Sequence, residues 1–175
     1  AGTEVWGSKV NNPGSVIYGA LEGRTSLARE RRPAWRMAKG IKGKLPFYVT
    51  RAPMLGMPGE RDEFIKQADK KHALKPIRLI VFETAAKMLV GCDATKDVPA
   101  LVQYCEDLVE RYDCVVIVSH HAGHDGARGP KDSSTYQQGF DNVIAVETPT
   151  RGSKLSIATV TKFKDFPEPD KPFTF

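Results

Sequence analysis

The chain has 175 residues, 41% of them hydrophobic, which suits a single domain over residues 1–175 with a sizeable core. No apolar run approaches a membrane span, and the first residues lack the basic and apolar regions of a signal peptide, so a membrane-spanning class is excluded. The formal net charge of +5 permits contact with nucleic acid or phosphate without establishing it. Three cysteines without metal-binding spacing, Cys92, Cys105 and Cys114, predict reduced, mostly buried thiols in a cytoplasmic protein.

Predicted strands and helices alternate in the first half of the chain. Apolar runs predict buried strands over 16–21 and 45–49. Between them, residues 25–39 have helical spacing and carry four arginines, and Pro33 should kink or split this helix. A second helix is predicted over 60–72.

The next stretch repeats the pattern with a strand and two helices. An apolar run predicts a strand over 77–82, and Thr84 is a suitable N-cap for a short turn over 85–89. Asp97 can cap the helix over 98–112, whose apolar residues recur at helical spacing. This periodicity makes it the strongest helix signal in the chain.

The last third of the chain begins with a strand and ends with a hairpin. Residues 115–118 form a β-branched apolar run of the kind that is buried on both faces of a parallel sheet. A hairpin is predicted over 143–147 and 154–161, and the segment from 166 could be an edge segment or a tail. Together the elements predict an α/β fold with a mostly parallel sheet, flanking helices and a C-terminal antiparallel hairpin.

Three of the predicted strands end in residues that can do chemistry, namely Glu22, Glu83 and the stretch 119–121. Right-handed crossovers would place these strand ends along one carboxyl edge of the sheet. Open α/β sheets bind their ligands at that edge. The alternative is that these residues are ordinary polar ends of buried strands.

In their order and spacing these segments resemble the RecA-like ATPase core of hexameric replicative helicases of the plasmid RepA type, from about Gly14 to Lys164. GSVIYGALEG is similar to the strand that ends in the catalytic glutamate, and IRLIVFETAAKML is similar to the Walker B strand. VIVSHHAGHDGARGPKDSS resembles the paired-histidine sensor strand and its loop, and IATVTKFKD resembles the strand that carries basic residues toward a neighbouring subunit's nucleotide. The resemblance implies ATP and Mg²⁺ as cofactors, single-stranded DNA as partner, and a ring hexamer.

The resemblance assigns the two glutamates different tasks. Glu22 would orient and deprotonate the attacking water, whereas the alternative is a solvent-facing side chain before a glycine turn. Glu83, with Thr84 beside it on the nucleotide side, would hold Mg²⁺ through a bound water. Relatives usually have Asp at this position, and the alternative is a carboxylate that interacts with a helix dipole.

The histidine pair has three interpretations. By the resemblance, His120 and His121 would read the γ-phosphate or a water and relay that state to the following loop. The pair could instead be satisfied by backbone carbonyls. A zinc site that includes His124 and Asp125 is a third alternative.

Four basic residues are further candidates for phosphate contacts. The loop after the histidines supplies Arg128 and Lys131, in a place where relatives have Arg-Gly-Ser-Ser and this chain has Lys-Asp-Ser-Ser. Which of the two acts is open. Lys162 and Lys164 would reach across a subunit interface to the nucleotide, or they are two exposed lysines on the outer face of a strand.

The sequence contains no GxxxxGK(S/T) motif to cradle the β- and γ-phosphates. We therefore expect a fragment of a longer ATPase that lacks the first strand, the P-loop and the first helix, with a degenerate homologue as the alternative. The predicted function is part of an ATP-driven helicase motor, inactive as the isolated chain. The alternatives are a catalytically inactive scaffold that binds DNA or a protein, and a different RecA-like ATPase such as a recombinase.

Overall fold

The computed structural model describes residues 4–5, 8–92, 96–121, 133–150, 152–165, 167 and 172–174. The chain divides into two compact units, Ala1–His120 and His121–Phe175. The single domain expected over residues 1–175 stays a prediction. Over the described ranges, no helix is both long and apolar enough to cross a membrane.

The first unit alternates strands and helices in the predicted order. Its elements are β1 Glu4–Val5, β2 Ser8–Lys9, β3 Ser15–Ala20, α1 Arg24–Ser26, a π-helical stretch Leu27–Arg31, α2 Arg32–Ala38, β4 Phe47–Thr50, α3 Glu60–Leu74, β5 Ile77–Glu83, α4 Ala85–Met88, α5 Val98–Tyr112 and β6 Val115–Val118. Asp97 is the N-cap residue of α5, as predicted, but its side chain makes no capping hydrogen bond.

The main sheet has four strands in the order β4-β3-β5-β6, and every neighbouring pair is parallel. Its two central strands, β3 and β5, are aligned so that Ile17 lies opposite Ile80 and Ala20 lies opposite Glu83. The two short strands β1 and β2 form a separate antiparallel pair. The predicted RecA-like α/β fold with a mostly parallel sheet is confirmed.

Aromatic side chains join α3 and α5 to one face of this sheet. Phe82 is fully buried, and its ring lies 5.2 Å from the ring of Phe64 on α3 and 6.1 Å from that of Tyr104 on α5. The two helices are also tied together by Asp69, whose carboxylate accepts hydrogen bonds of 3.0 and 2.8 Å from Arg111. The apolar surface buried on this face stabilises the unit.

Strand β6 departs from the expectation that it is buried on both faces. Val115 and Ile117 are 59% and 48% exposed. Both side chains point to the same side of the strand, because side chains alternate between the two faces. In the described sheet β6 has only β5 as a neighbour, so it is an edge strand and is covered less than a central one.

The arginine-rich helix is continuous across Pro33, which was expected to kink or split it. The stretch Leu27–Arg31 is π-helical, and Arg32 donates its backbone N–H to Leu27 O. Proline has no N–H and its ring crowds the carbonyl four residues earlier. A wider π turn directly before proline accommodates this crowding, so the helix is not split there, and the expected kink stays a prediction.

The second unit contains the predicted hairpin and two further elements. Its elements are α6 Ser133–Gly139, β7 Asn142–Glu147, β8 Ile157–Phe163 and β9 Phe173–Thr174. The strands form an antiparallel sheet in the order β7-β8-β9. The segment from 166 therefore contributes an edge strand, one of the two alternatives considered for it.

Candidate active site

Three parallel strands bring their carboxyl ends together in the first unit. Leu21 donates its backbone N–H to the carbonyl of Glu83 at 2.8 Å, which extends the β3–β5 pairing past the end of β3. On the other side of β5, Ser119 donates its N–H to Phe82 O at 2.9 Å. Glu22 and His120 therefore follow directly after residues that flank the end of β5. This is the edge at which the sequence placed them.

Glu83 is the last residue of β5, and its carboxylate is held by a tyrosine. Tyr18 on β3 donates its hydroxyl to Glu83 Oε2 at 2.5 Å. Burial of the phenol, and then the hydrogen bond to Glu83, raise the pKa of Tyr18 to about 12. The tyrosine therefore remains a proton donor at neutral pH and fixes one oxygen of the carboxylate.

Sequence reasoning missed Tyr18, because its position relative to Glu83 depends on how β3 pairs with β5. Tyr18 lies opposite Val81 in the parallel pairing, and Val81 is two residues before Glu83. Residues two apart on a strand share a face, so Tyr18 and Glu83 were bound to be on the same side of the sheet once β3 and β5 are neighbours. Only the strand order and register were lacking.

Thr84 follows Glu83 and is the N-cap residue of α4, as predicted, but its hydroxyl makes no capping hydrogen bond. The peptide bond between Glu83 and Thr84 is cis. Thr84 is only 3% exposed, and its Oγ1 is buried without a hydrogen-bond partner among the described residues. A buried hydroxyl without a partner costs about 1–3 kcal/mol, so this position would gain from a bound water or ligand oxygen.

Glu22 lies in the exposed turn after β3 and faces a cation. Its Oε1 is 4.0 Å from the Nζ of Lys87 on α4, and the two side chains are 44% and 53% exposed. An ion pair this long and this exposed contributes little to stability. The carboxylate therefore remains available to other groups.

A groove of about 430 Å³ opens beside Glu22 and has a cationic lining. Arg24, Arg51 and Lys87 line it together with apolar side chains. Arg51 is paired with Glu60 at 3.3 Å, and the same carboxylate accepts a 2.7 Å hydrogen bond from the backbone N–H of Met54. Sequence reasoning missed these three cations, because they come from three different segments and no local spacing joins them.

The histidine pair lies where the two units meet in sequence, and four further candidate residues fall outside the described part of the chain. His120 is the last residue of the first unit and His121 the first of the second. Arg128 and Lys131 fall outside the described residues, as do His124 and Asp125 of the zinc alternative. Among the residues that the structure describes, no three His, Cys, Asp or Glu side chains cluster as metal ligands.

The candidate lysines Lys162 and Lys164 are both engaged within the second unit. Lys162 on β8 donates to the carbonyl oxygens of Gln137 and Phe140 at 2.6 and 2.7 Å, at the end of α6. Lys164 forms a 2.8 Å ion pair with Asp141. A cation that completes a helix C-terminus stabilises it through the helix dipole. A reach to another subunit would require Lys162 to give up these contacts.

A parallel α/β sheet that carries carboxylates and a cationic groove at its carboxyl edge is the arrangement of a nucleotide- or phosphate-binding α/β protein. A family model described as an AAA domain matches residues 1–127. The chain therefore belongs to the AAA domain family, which is a family of P-loop NTPases that in general bind and hydrolyse ATP. No curated protein matches the sequence.

Proposed function

We propose that the chain is part of the ATP-hydrolysing motor of a DNA helicase or replication protein from a plasmid, phage or mobile element. The motor would act in the cytoplasm as a ring hexamer and couple MgATP hydrolysis to movement along single-stranded DNA. The observation that carries the proposal is the pair of carboxylates, Glu22 and Glu83, on the adjacent ends of β3 and β5. With two carboxylates at one edge of the sheet, one can orient the attacking water and the other can hold the metal during phosphoryl transfer.

Glu22 is proposed as the group that orients the attacking water and accepts its proton. It stands in an exposed turn whose backbone is fixed to β5 by the Leu21–Glu83 hydrogen bond of 2.8 Å. A base must be held at a fixed position within hydrogen-bond reach of the proton that it removes. The weak contact with Lys87, at 4.0 Å, leaves the carboxylate free to turn toward a water.

Glu83 is proposed as the Mg²⁺ residue, and the neighbouring side chains fit this role. Mg²⁺ takes oxygen ligands, keeps several waters and is typically held by one or two carboxylates plus substrate phosphates. Tyr18 fixes Oε2 of Glu83, and the hydroxyl of Thr84, which has no hydrogen-bond partner among the described residues, could exchange a hydrogen bond with a metal-bound water. Bound there, the metal would neutralise charge on the phosphate oxygens.

The cationic groove supports a role for this edge in binding phosphate. Arg24, Arg51 and Lys87 supply positive charge beside Glu22. The chain has no GxxxxGK(S/T) segment, so we propose that the cradle for the β- and γ-phosphates comes from another part of a longer protein. The 175 residues alone are expected to hydrolyse little or no ATP.

The test is ATP hydrolysis by the full-length protein, with and without single-stranded DNA. Glu22→Gln keeps the size of the side chain and removes the base, and it should lower the turnover number at least 100-fold with ATP affinity within about threefold. The matched control is Glu110→Gln, which replaces an exposed carboxylate on α5 by a carboxamide and should leave turnover unchanged.

Three outcomes would overturn parts of the proposal. If the full-length protein hydrolyses no ATP yet binds DNA, the inactive scaffold is the better description and the roles of Glu22, Glu83 and His121 fall with the motor. If Glu22→Gln retains turnover, another group is the base. Turnover by the isolated 175 residues would instead contradict the expected need for a P-loop.

A further inference from the structure

The segment from Arg24 to Lys44 carries more positive charge than the whole chain. It contains five arginines, three lysines and one acidic residue, Glu30, so its formal charge is +7, whereas the 175 residues together carry +5. The rest of the chain is therefore slightly acidic. A cationic concentration of this size in one short segment is the electrostatic footprint of a surface that binds a polyanion.

This segment is ordered but contributes no side chain to the core. It is helical from Arg24 to Ala38, and none of its three helical stretches has a buried residue. Trp35 is 51% exposed and Met37 is 83% exposed. A helix that only supports a core buries an apolar stripe against it. The exposed side chains of this helix are instead accessible to a partner.

Two of the eight cations are used to hold the segment itself in place. Arg32 donates to the carbonyl of Phe47 on β4 at 3.4 Å, and Arg36 donates to the carbonyl of Gly43 in the loop that follows the helix. The other six are exposed, and no hydrogen bond or ion pair within the described chain engages them. These six are Arg24, Arg29, Arg31, Lys39, Lys42 and Lys44.

We propose that the segment Arg24–Lys44, here named the basic surface, binds single-stranded nucleic acid. The six exposed cations would contact phosphates, and the indole of Trp35 would stack on an unpaired base. The helical part is about 22 Å long at 1.5 Å per residue, which matches about six phosphates of a stacked strand. Arginine forks suit phosphate oxygens because they donate two parallel hydrogen bonds.

Single-stranded nucleic acid explains the exposed ring and the charge together. An acidic peptide would satisfy the charge but gives Trp35 no base on which to stack. A membrane surface requires a continuous apolar face on the helix, which Trp35 and Met37 do not form among so many cations. Both alternatives are therefore outcomes of the test below.

The basic surface also reaches the candidate active site. Arg24 belongs to the basic surface and also lines the groove beside Glu22. Lys87, which faces Glu22, lines the same groove. A strand bound along the helix would therefore end at the groove. The inference rests on the proposed function, which includes movement along single-stranded DNA, and adds to it the surface that would hold the strand. Because this binding requires no nucleotide, it would persist in a protein that hydrolyses no ATP, so the two proposals can fail separately.

The experiment measures fluorescence anisotropy of a labelled 20-mer of thymidylate with the 175-residue chain at several salt concentrations. The triple variant Arg29→Gln/Lys39→Gln/Lys42→Gln should weaken binding at least tenfold. Three fewer phosphate contacts should also reduce the slope of log affinity against log salt by about 2, at roughly 0.7 per contact. An unchanged affinity and slope would overturn the proposal.

The matched control removes the same charge from another exposed place, with Lys66→Gln/Lys70→Gln/Lys75→Gln on and after α3. It should retain affinity within about twofold, and an equal loss in both triples would show net charge alone at work and overturn the proposal. Circular dichroism and thermal unfolding confirm that each variant is folded.

A second readout tests the stacking directly in the unaltered chain. Base stacking on Trp35 should quench tryptophan fluorescence on binding, and Trp35→Leu should remove the quenching and weaken affinity about tenfold. Retained quenching in Trp35→Leu would exclude this ring as the platform. Binding to vesicles with anionic headgroups or to polyglutamate, without binding to the thymidylate 20-mer, would overturn the nucleic-acid assignment.

Discussion

Tyr18 donates its hydroxyl to Oε2 of Glu83 at 2.5 Å, across 65 positions of sequence and one strand pairing. The bond joins the two central strands of the sheet at the place where the proposed metal residue stands. Groups that orient a metal-binding carboxylate usually matter for metal affinity nearly as much as the ligand itself. Tyr18 is therefore a positioning residue in the proposed site.

Tyr18→Phe should raise the Mg²⁺ concentration for half-maximal ATP hydrolysis by the full-length protein about tenfold, because Glu83 loses the donor that fixes its oxygen. Turnover at saturating Mg²⁺ should stay within about threefold. Tyr48→Phe on the neighbouring strand β4 is the control, since its ring lies 4.8 Å from the Nζ of Lys71 and no hydrogen bond joins it to either glutamate among the described residues. A shift of equal size in both variants would mean that the effect is structural.

Gly19→Ala should lower the free energy of unfolding by about 1–3 kcal/mol through overpacking. A Cβ at Gly19 would lie 2.8 Å from the ring of Phe82 and 3.2 Å from the Cβ of Ala52. Urea denaturation of the isolated chain measures the loss. In a Phe82→Leu background the added methyl group has more room, so the cost should shrink; an equal cost in both backgrounds would show that the ring is not the obstacle.

Stability should fall above pH 9 because buried thiols and phenols resist ionisation. Burial raises the pKa of Cys105 from its usual 9.0 to about 12, and that of Cys114 to about 11. Between pH 9 and the pKa of each thiol in the folded chain, the thiol is ionised in the unfolded chain and protonated in the folded chain. Its contribution to stability is therefore complete below pH 9 and is lost as the pH rises through the pKa of the folded chain. Cys105 alone should account for about 2 kcal/mol at pH 10.5.

The measurement is the urea unfolding free energy at pH 7 and pH 10.5. Cys105→Ala should show a smaller decrease between the two pH values than the unaltered chain, because the titrating group is gone. Cys92→Ala is the control, since Cys92 is only partly buried. An identical decrease in the Cys105→Ala variant would contradict the assignment.

Lys162→Met should destabilise the second unit by about 1–2 kcal/mol, because its ammonium group bonds the carbonyls of Gln137 and Phe140 at the end of α6. Lys164→Met removes an exposed ion pair with Asp141 and should cost less than about 0.5 kcal/mol. Thermal unfolding separates the two. A Lys162→Met variant with unchanged stability and lowered ATP turnover would instead support the reach across a subunit interface.

Regular periodicity made much of the fold predictable. Helix α5 was anticipated with its bounds and its cap, because its apolar residues recur at helical spacing and Asp97 precedes them. Strand β5 was anticipated to within one residue, so Glu83 was expected at the strand end where it lies. The alternation of such elements also indicated the parallel sheet.

Features that depend on pairing through space were not predictable. The sequence has no local mark for the approach of Tyr18 to Glu83 or of Lys87 to Glu22, which follow from the strand order. The π-helical stretch before Pro33 was not predictable either. It depends on whether the helix ends at proline or widens to accommodate the proline ring. The exposure of β6 was missed because a β-branched apolar run does not show whether its strand lies in the centre of a sheet or at its edge.

The open side of β6 has a consequence for handling the protein. Val115 and Ile117 are exposed branched apolar residues of β6, and the outer edge of this strand has no described neighbour. Such an edge is a template on which another extended chain can hydrogen-bond, and apolar side chains beside it strengthen the contact. The isolated chain should therefore aggregate as its concentration rises. Ile117→Lys should delay precipitation, because pairing two such strands would then bury a charge and bring like charges together.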